Sequence, residues 1–334
     1  MKSLRGCLSF ALCLLPALSL TAQETTFKTQ SRLVVVPVTV SDQKSGQRLW
    51  DLQPGDFKLF DNGQERAITV EPWGTYESLV SLVVVVETSF LSDAAIVKIR
   101  RMASSLSNIT GENGEIAVIT ADSSINSLLD FTTKWEPLQE AFERLHVSNE
   151  RAGHVLDGLS AGLVLLAHRP QNQRRIILLL CEGHDRGSHS YPMEVLTRAE
   201  KENVIIYTSS YSPLLTPFTL KGGELPPVPR FATINAAPMF EEIARSFKMN
   251  IGRTLAGYTG GRELRFTSED TLSEDLQAIA TDVHSQYQIS FVPPEEKSPV
   301  YHEIEIQVKE HPEAVVRARP GYWTGLPAAR PFAP

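Results

Sequence analysis

The chain has 334 residues, 42% of them hydrophobic and 21% charged, close to an average globular protein and long enough for one large domain or two smaller ones. Its formal net charge is −7 and it holds no basic run, which argues against nucleic acid as a partner, because neutralising phosphates takes clustered Lys and Arg. Lys2 and Arg5 precede an apolar run from Leu8 to Leu20, and Thr21-Ala22 lead into polar Gln23. This is the layout of a secretory signal peptide spanning residues 1–22. The alternative is an uncleaved anchor, although the run is shorter than the ~20 residues that span a bilayer. No other stretch is long enough to cross a membrane, so the expectation is an exported protein, periplasmic or secreted. Cleavage leaves Cys181 as the one remaining cysteine, which excludes an intrachain disulfide. Cys181 ends the apolar run Ile176–Leu180 and reads as a buried, inert thiol.

Residues 30–73 read as a small β segment. Leu33–Val40 is a strand in which Pro37 suggests an edge or a bulge. Turn signals follow at Ser45-Gly46 and Asp61-Asn62-Gly63, and Phe57, Leu59, Ile68 and Val70 fit a hairpin with alternating burial. From 77 to 284 the pattern changes. Leu79–Val86 is almost continuously apolar, as in a strand covered on both faces by helices. A helical stripe follows at Ala95, Ile99, Met102, Ala103 and Leu106, then a turn at 111–114, a strand at 115–120 and a short strand at 125–130. Helices near 134–145 and 154–168 precede a buried strand at 175–181, a helix near 191–202 and a strand at 204–207. Residues 209–237, rich in proline, read as a long loop; helical periodicity returns at 238–257. Gly260-Gly261 makes a turn, 262–266 a short strand, and 270–284 a helix capped by Ser268 or Thr271. Strands alternating with helices predict a doubly wound, mostly parallel α/β sheet.

Residues 286–323 are β again, with His302, Ile304, Ile306 and Val308 on one apolar face of a strand. A 40-residue β unit would bury too little surface to stand alone, so 286–323 is expected to pair with 30–73 in a small β-sandwich-like unit, with the α/β domain inserted between them.

The loop Glu87-Thr88-Ser89-Phe90-Leu91-Ser92 after the first buried strand resembles the Asp-x-Ser-x-Ser loop of von Willebrand factor A domains. Cys181-Glu182-Gly183-His184-Asp185 resembles that family's Ser-Asp-Gly-x-Asp turn, and Gly153-His154 stands where the family has Gly-Thr. The run from Asp51 to Gly63, Asp130–Thr133, Tyr258–Gly261 and the closing Val316–Trp323 are similar to an exported bacterial subgroup of the family. The resemblance covers about residues 32–323 and implies a Rossmann-type sheet with a Mg²⁺ adhesion site at Glu87, Ser89, Leu91, His154 and Glu182. Ser89 alone keeps its family type there. Leu91 donates no oxygen, His154 replaces a hydroxyl, and the glutamates are each one methylene longer than the family's residues, whereas Mg²⁺ demands near-ideal octahedral oxygen geometry. Three readings stay open: the family's Mg²⁺ site, a rewritten site of Glu87, Ser89, His154, Glu182 and Asp185, joined by His184 or His189 and better suited to Zn²⁺ or Mn²⁺, or a metal-free cluster of hydrogen bonds and ion pairs.

Gly158-Leu159-Ser160-Ala161-Gly162 matches the Gly-x-Ser-x-Gly nucleophile pattern, but that motif needs a strand-to-helix turn, and Val155, Leu159, Leu163 and Leu166 mark a helix running through it. His184, Asp185 and His189 lie in a loop after a strand, where open α/β sheets bind ligands. Tyr322 and Trp323 read as closing the β core, and no Gly-rich phosphate loop occurs. The reading is an exported, non-catalytic protein-binding or assembly module, with Phe90, Leu91, Thr132 and His184 on the partner surface. Its partner is an unidentified protein of the cell envelope or beyond, and it needs no cofactor beyond a weak divalent cation. A metal-dependent adhesion module with a rewritten site, or a hydrolase using Ser160, are the alternatives.

Overall fold

A computed structural model describes residues 33–71, 79–150, 152–211 and 236–325, the side chains of 236–240 and 242 excepted. The expected signal peptide and nearly all of the expected loop at 209–237 lie outside the described residues.

Alternating burial builds the N-terminal strands β1 (Val34–Ser41), β2 (Phe57–Asp61), β3 (Gln64–Arg66) and β4 (Thr69–Glu71). Asn62 and Gly63 both take positive φ, 49° and 77°, the two-residue turn that suits the twist of a hairpin. It pairs β2 with β3. The expected partner Val70 lies instead in β4, on a different sheet, because the hairpin ends at Arg66 and the chain crosses over.

β5 (Val80–Glu87) buries all eight side chains, as a strand with helices on both faces does. Ser92 caps α1 (Asp93–Arg101), its hydroxyl accepting from the Ala95 N–H. The helix expected to run on through Leu106 is broken: a 3₁₀ turn over Met102–Ser105 separates α1 from the short α2 (Ser107–Thr110). Then come β6 (Glu115–Ala121), β7 (Ile125–Thr132), α3 (Trp135–Glu143), α4 (Val155–Ala167), β8 (Arg174–Cys181), α5 (Pro192–Lys201) and β9 (Val204–Tyr211). The periodicity at 238–257 is two helices, α6 (Ala236–Met249) and α7 (Ile251–Thr259), because Asn250 leaves the helical region and its side chain caps α7. β10 (Glu263–Phe266) precedes α8 (Glu269–His284), capped by Ser268.

These strands form one six-stranded sheet in the order β10-β9-β8-β5-β6-β7, parallel throughout except for β7. One face is packed by α1, α2, α3 and α8, the other by α4, α5, α6 and α7. Two glycines let α4 approach that sheet: a Cβ at Gly158 would lie 2.8 Å from the Ala121 Cβ, and one at Gly162 3.3 Å from Ile177 and Val83.

The chain ends with β11 (Tyr287–Phe291), β12 (Val300–Val308), β13 (Val315–Arg317) and β14 (Gly321–Thr324). Two four-stranded sheets result, β13-β1-β11-β4 and β14-β12-β2-β3, and each draws strands from both ends of the chain. Val36, Val38, Leu59, Tyr287, Ile289 and Tyr322 fill the core between them with essentially no exposure.

Candidate functional site

The carboxyl ends of β5, β6 and β8 meet at one rim of the sheet, the edge at which open α/β sheets bind ligands. Glu87, the last residue of β5, is completely buried there. Its Oε2 accepts from the Glu182 backbone N–H at 2.7 Å. Its Oε1 has no hydrogen-bond partner among the described residues. A Cβ at Gly153 would sit 2.5 Å from that oxygen, so glycine there makes room for the carboxyl. Burial pushes the Glu87 carboxyl up to about 7, against the pull of the Glu182 N–H. The Ser89 hydroxyl donates to the Ala152 carbonyl. Cys181 is buried, and burial raises its thiol well above the ordinary range.

Leu91 is expected on the partner surface, but the structure corrects this: it is 2% exposed and packs with Ala95, Val86 and Leu180 in the apolar layer under the sheet. Phe90 stays half-buried at the rim, with the Arg186 guanidinium 3.8 Å from its ring centre, a cation–π contact. Arg186 also pairs with the exposed Glu182 at 3.0 Å. His184 is exposed in the same loop.

Thr132 is a second correction. β7 runs antiparallel to β6, so Thr132 faces Ile116 near the start of β6, while Ala121 at the rim faces Ile125. Five residues of strand put Thr132 about 16 Å below the rim.

The five residues grouped in the sequence as a metal set do not converge on one point. Asp185 Oδ1 accepts from the Leu156 N–H at 3.0 Å and from the Ser188 hydroxyl at 2.6 Å, serving the start of α4. Glu182 faces Arg186, and Glu87 faces the Glu182 amide. Among the described residues, the metal-type side chains that do converge are His154, Asp157 and His189, with one ligand atom of each within 4.8 Å of the others. Asp157 is absent from the sequence-based set. Its only signal there is its spacing of three from His154 at the start of a helix, which places both on one face. Burial pushes the Asp157 carboxyl up, but hydrogen bonds from Ser190 and His189 outweigh this and hold it below its ordinary value.

Ser160 lies inside α4, 4% exposed, with its hydroxyl 2.9 Å from that of Ser190. Tyr322 stacks on the buried His302 ring at 4.8 Å, and Trp323 packs against the α/β core. Among the described residues no helix is long and apolar enough to cross a membrane.

The six-stranded sheet is parallel but for one antiparallel edge strand and carries helices on both faces, the α/β fold that the sequence resemblance implies. No protein-family profile matches the chain, and no curated protein does. Solved structures are similar. One is BatB, a conserved hypothetical protein of Bacteroides thetaiotaomicron, at 12% identity and a TM-score of 0.41 over 60% of this chain and 99% of that one. Another is proximal thread matrix protein 1 of the mussel byssus with a zinc-occupied MIDAS motif, at 15% identity and a TM-score of 0.44 over 66% of this chain and 48% of that one, about half its length. A third is the SpRpn10 VWA domain, at 15% identity and a TM-score of 0.39 over 59% of this chain and 94% of that one.

Proposed function

We propose that this chain is an exported, non-catalytic protein-binding or assembly module of von Willebrand factor A type, with its partner surface at the rim around Phe90, Glu182, His184 and Arg186. The observation that carries the reading is the Arg186–Phe90 stack at 3.8 Å, which sets an aromatic ring and a guanidinium among exposed polar groups. Aromatic and Arg side chains within a polar surround are what protein-recognition patches favour. We read the rim as without a tight Mg²⁺ adhesion site, a reading supported by Leu91, which lies in the core and offers no oxygen, and by His154, whose imidazole stands where the resembled family has a hydroxyl. Export rests on the charged and apolar N-terminal segment, and N-terminal sequencing of the envelope or medium protein, expected to begin near Gln23, tests it.

The partner surface is tested by capture from envelope extract with the wild-type chain and with Phe90→Ala. A protein retained by the first and lost from the second supports the rim; equal retention places the surface elsewhere.

A further inference from the structure

The rim holds a set of donors that the partner surface does not use. His154 stands immediately before α4, and Asp157 lies one turn along the same face. His189 arrives from the loop between β8 and α5, and several contacts fix that loop in place. Gly153 and Arg186 exchange backbone hydrogen bonds of 3.0 and 2.9 Å. The Asp157 carboxylate accepts from the Ser190 N–H at 2.8 Å and the His189 N–H at 3.0 Å. Gly187, at φ +110°, lets the loop close on the His154 ring, since a Cβ there would lie 2.8 Å from Nε2. The two imidazoles meet edge to face at 5.9 Å.

The three ligand atoms lie within 4.8 Å of one another, near the spacing of a coordination polyhedron. Asp157 Oδ2 lies 3.5 Å from His189 Nδ1 and 3.8 Å from His154 Nδ1. A tetrahedral ion with bonds of about 2.0–2.2 Å needs ligand atoms about 3.3–3.5 Å apart. The His189–Asp157 spacing lies at the top of this range and the His154–Asp157 spacing exceeds it by a few tenths of an ångström, while the His189 side chain, 91% exposed, is free to swing toward the other two. Each Asp157 oxygen that accepts an N–H keeps a second lone pair for an ion, and those N–H groups orient the carboxylate as outer partners of metal ligands do.

We propose that His154, Asp157 and His189 form a binding site for a borderline transition-metal ion, Zn²⁺ foremost, with its fourth position open to solvent. Two imidazoles and one carboxylate suit Zn²⁺ and not Mg²⁺ or Ca²⁺, which take oxygen. The site stands apart from the partner surface proposed above, because binding of the ion is read without any partner.

The test is calorimetric titration of the full chain with Zn²⁺ alone, and with Co²⁺ followed by visible absorption. One equivalent is expected to bind, with the intense d–d bands of four-coordinate Co²⁺. His154→Ala and His189→Ala should each weaken binding at least about tenfold, and His189→Ala should leave the melting curve unchanged because its side chain is exposed. His184→Ala, in the same loop but outside the set, should bind as the wild type does. Absence of one-equivalent binding in the wild type, or affinity that His189→Ala leaves untouched, overturns the proposal.

Discussion

The Glu182 backbone N–H donates to the Glu87 carboxylate at 2.7 Å, joining the tips of β8 and β5, and one such bond does not offset the complete burial of Glu87. Its pKa accordingly rises from 4.5 to about 7. Between these values the folded chain holds a proton that the unfolded chain has released. Stability therefore falls as pH rises through this window, by roughly 3 kcal/mol if the whole shift is realised. Asp275, buried and bonded to the Ser209 hydroxyl at 2.7 Å, is raised by burial from 3.8 to about 6 and adds a slope of the same sign at lower pH. Urea melts across this range should show the decline, and Glu87→Gln should flatten its upper part while the part due to Asp275 remains. A Glu87→Gln profile that still follows the wild type above about pH 6 would remove Glu87 as the cause.

Phe90 and Leu91 are neighbours with opposite surroundings, one under the Arg186 guanidinium at the rim and the other in the core. Leu91→Ala should cost about 2–5 kcal/mol of stability, the transfer term plus the cavity left behind. Phe90→Ala should leave the melting curve nearly unchanged and weaken partner binding by about 1–3 kcal/mol. Thr132→Ala, far below the rim, should change neither. If Phe90→Ala destabilises the fold as much as Leu91→Ala does, the ring is a plug for the pocket and not an anchor.

The parallel strands are legible because burial on both faces erases alternation, leaving runs such as Val83–Val86 and Ile176–Leu180. The direction of β7 is not legible. A short strand with mixed burial carries no mark of which way it runs, and that ambiguity is what misplaces Thr132. The glycines of Gly158-x-x-x-Gly162 are readable as helix-packing residues once a helix is assigned there, and their contacts with β5, β6 and β8 agree. Asp157 escapes because a carboxylate in the first turn of a helix ordinarily serves the helix dipole. Its meeting with His189 depends on how a loop 32 residues later folds back, and no local pattern encodes that.

The close approach of α4 makes its own prediction. A methyl at position 158 would stand 2.8 Å from the Ala121 Cβ and 3.0 Å from Val85 Cγ1, neither of them a flexible side-chain end. Gly158→Ala should cost about 1–3 kcal/mol through overpacking, despite the better helix propensity of alanine. Chemical denaturation measures it, and a stabilised variant would mean that α4 moves outward at little cost.

The ion cluster at Asp282 joins the two parts of the fold. Asp282, in the last turn of α8, is fully buried and accepts from Arg317 in β13 at 2.6 Å, from Arg262 before β10 at 3.1 Å, and from Arg48 after β1. One carboxylate thus holds three guanidiniums drawn from both β ends and from the α/β domain. The Arg262 pKa records the balance: burial lowers it, Asp282 raises it, and Arg317 and Arg48 lower it again. Removing the anion leaves like charges facing one another in a partly dry site, so Asp282→Ala should lose about 3–5 kcal/mol. Removing the Arg262 cation also removes its repulsion with Arg317 and Arg48, so Arg262→Leu should cost distinctly less. The coupling between the two four-stranded sheets and the six-stranded sheet with its helices should weaken with the anion, and unfolding of Asp282→Ala should lose the coincidence of far-UV and near-UV transitions that a single cooperative unit shows. Urea denaturation of the two variants, followed by both signals, separates the cases. Equal losses in Asp282→Ala and Arg262→Leu would mean that packing, and not charge, holds this junction together.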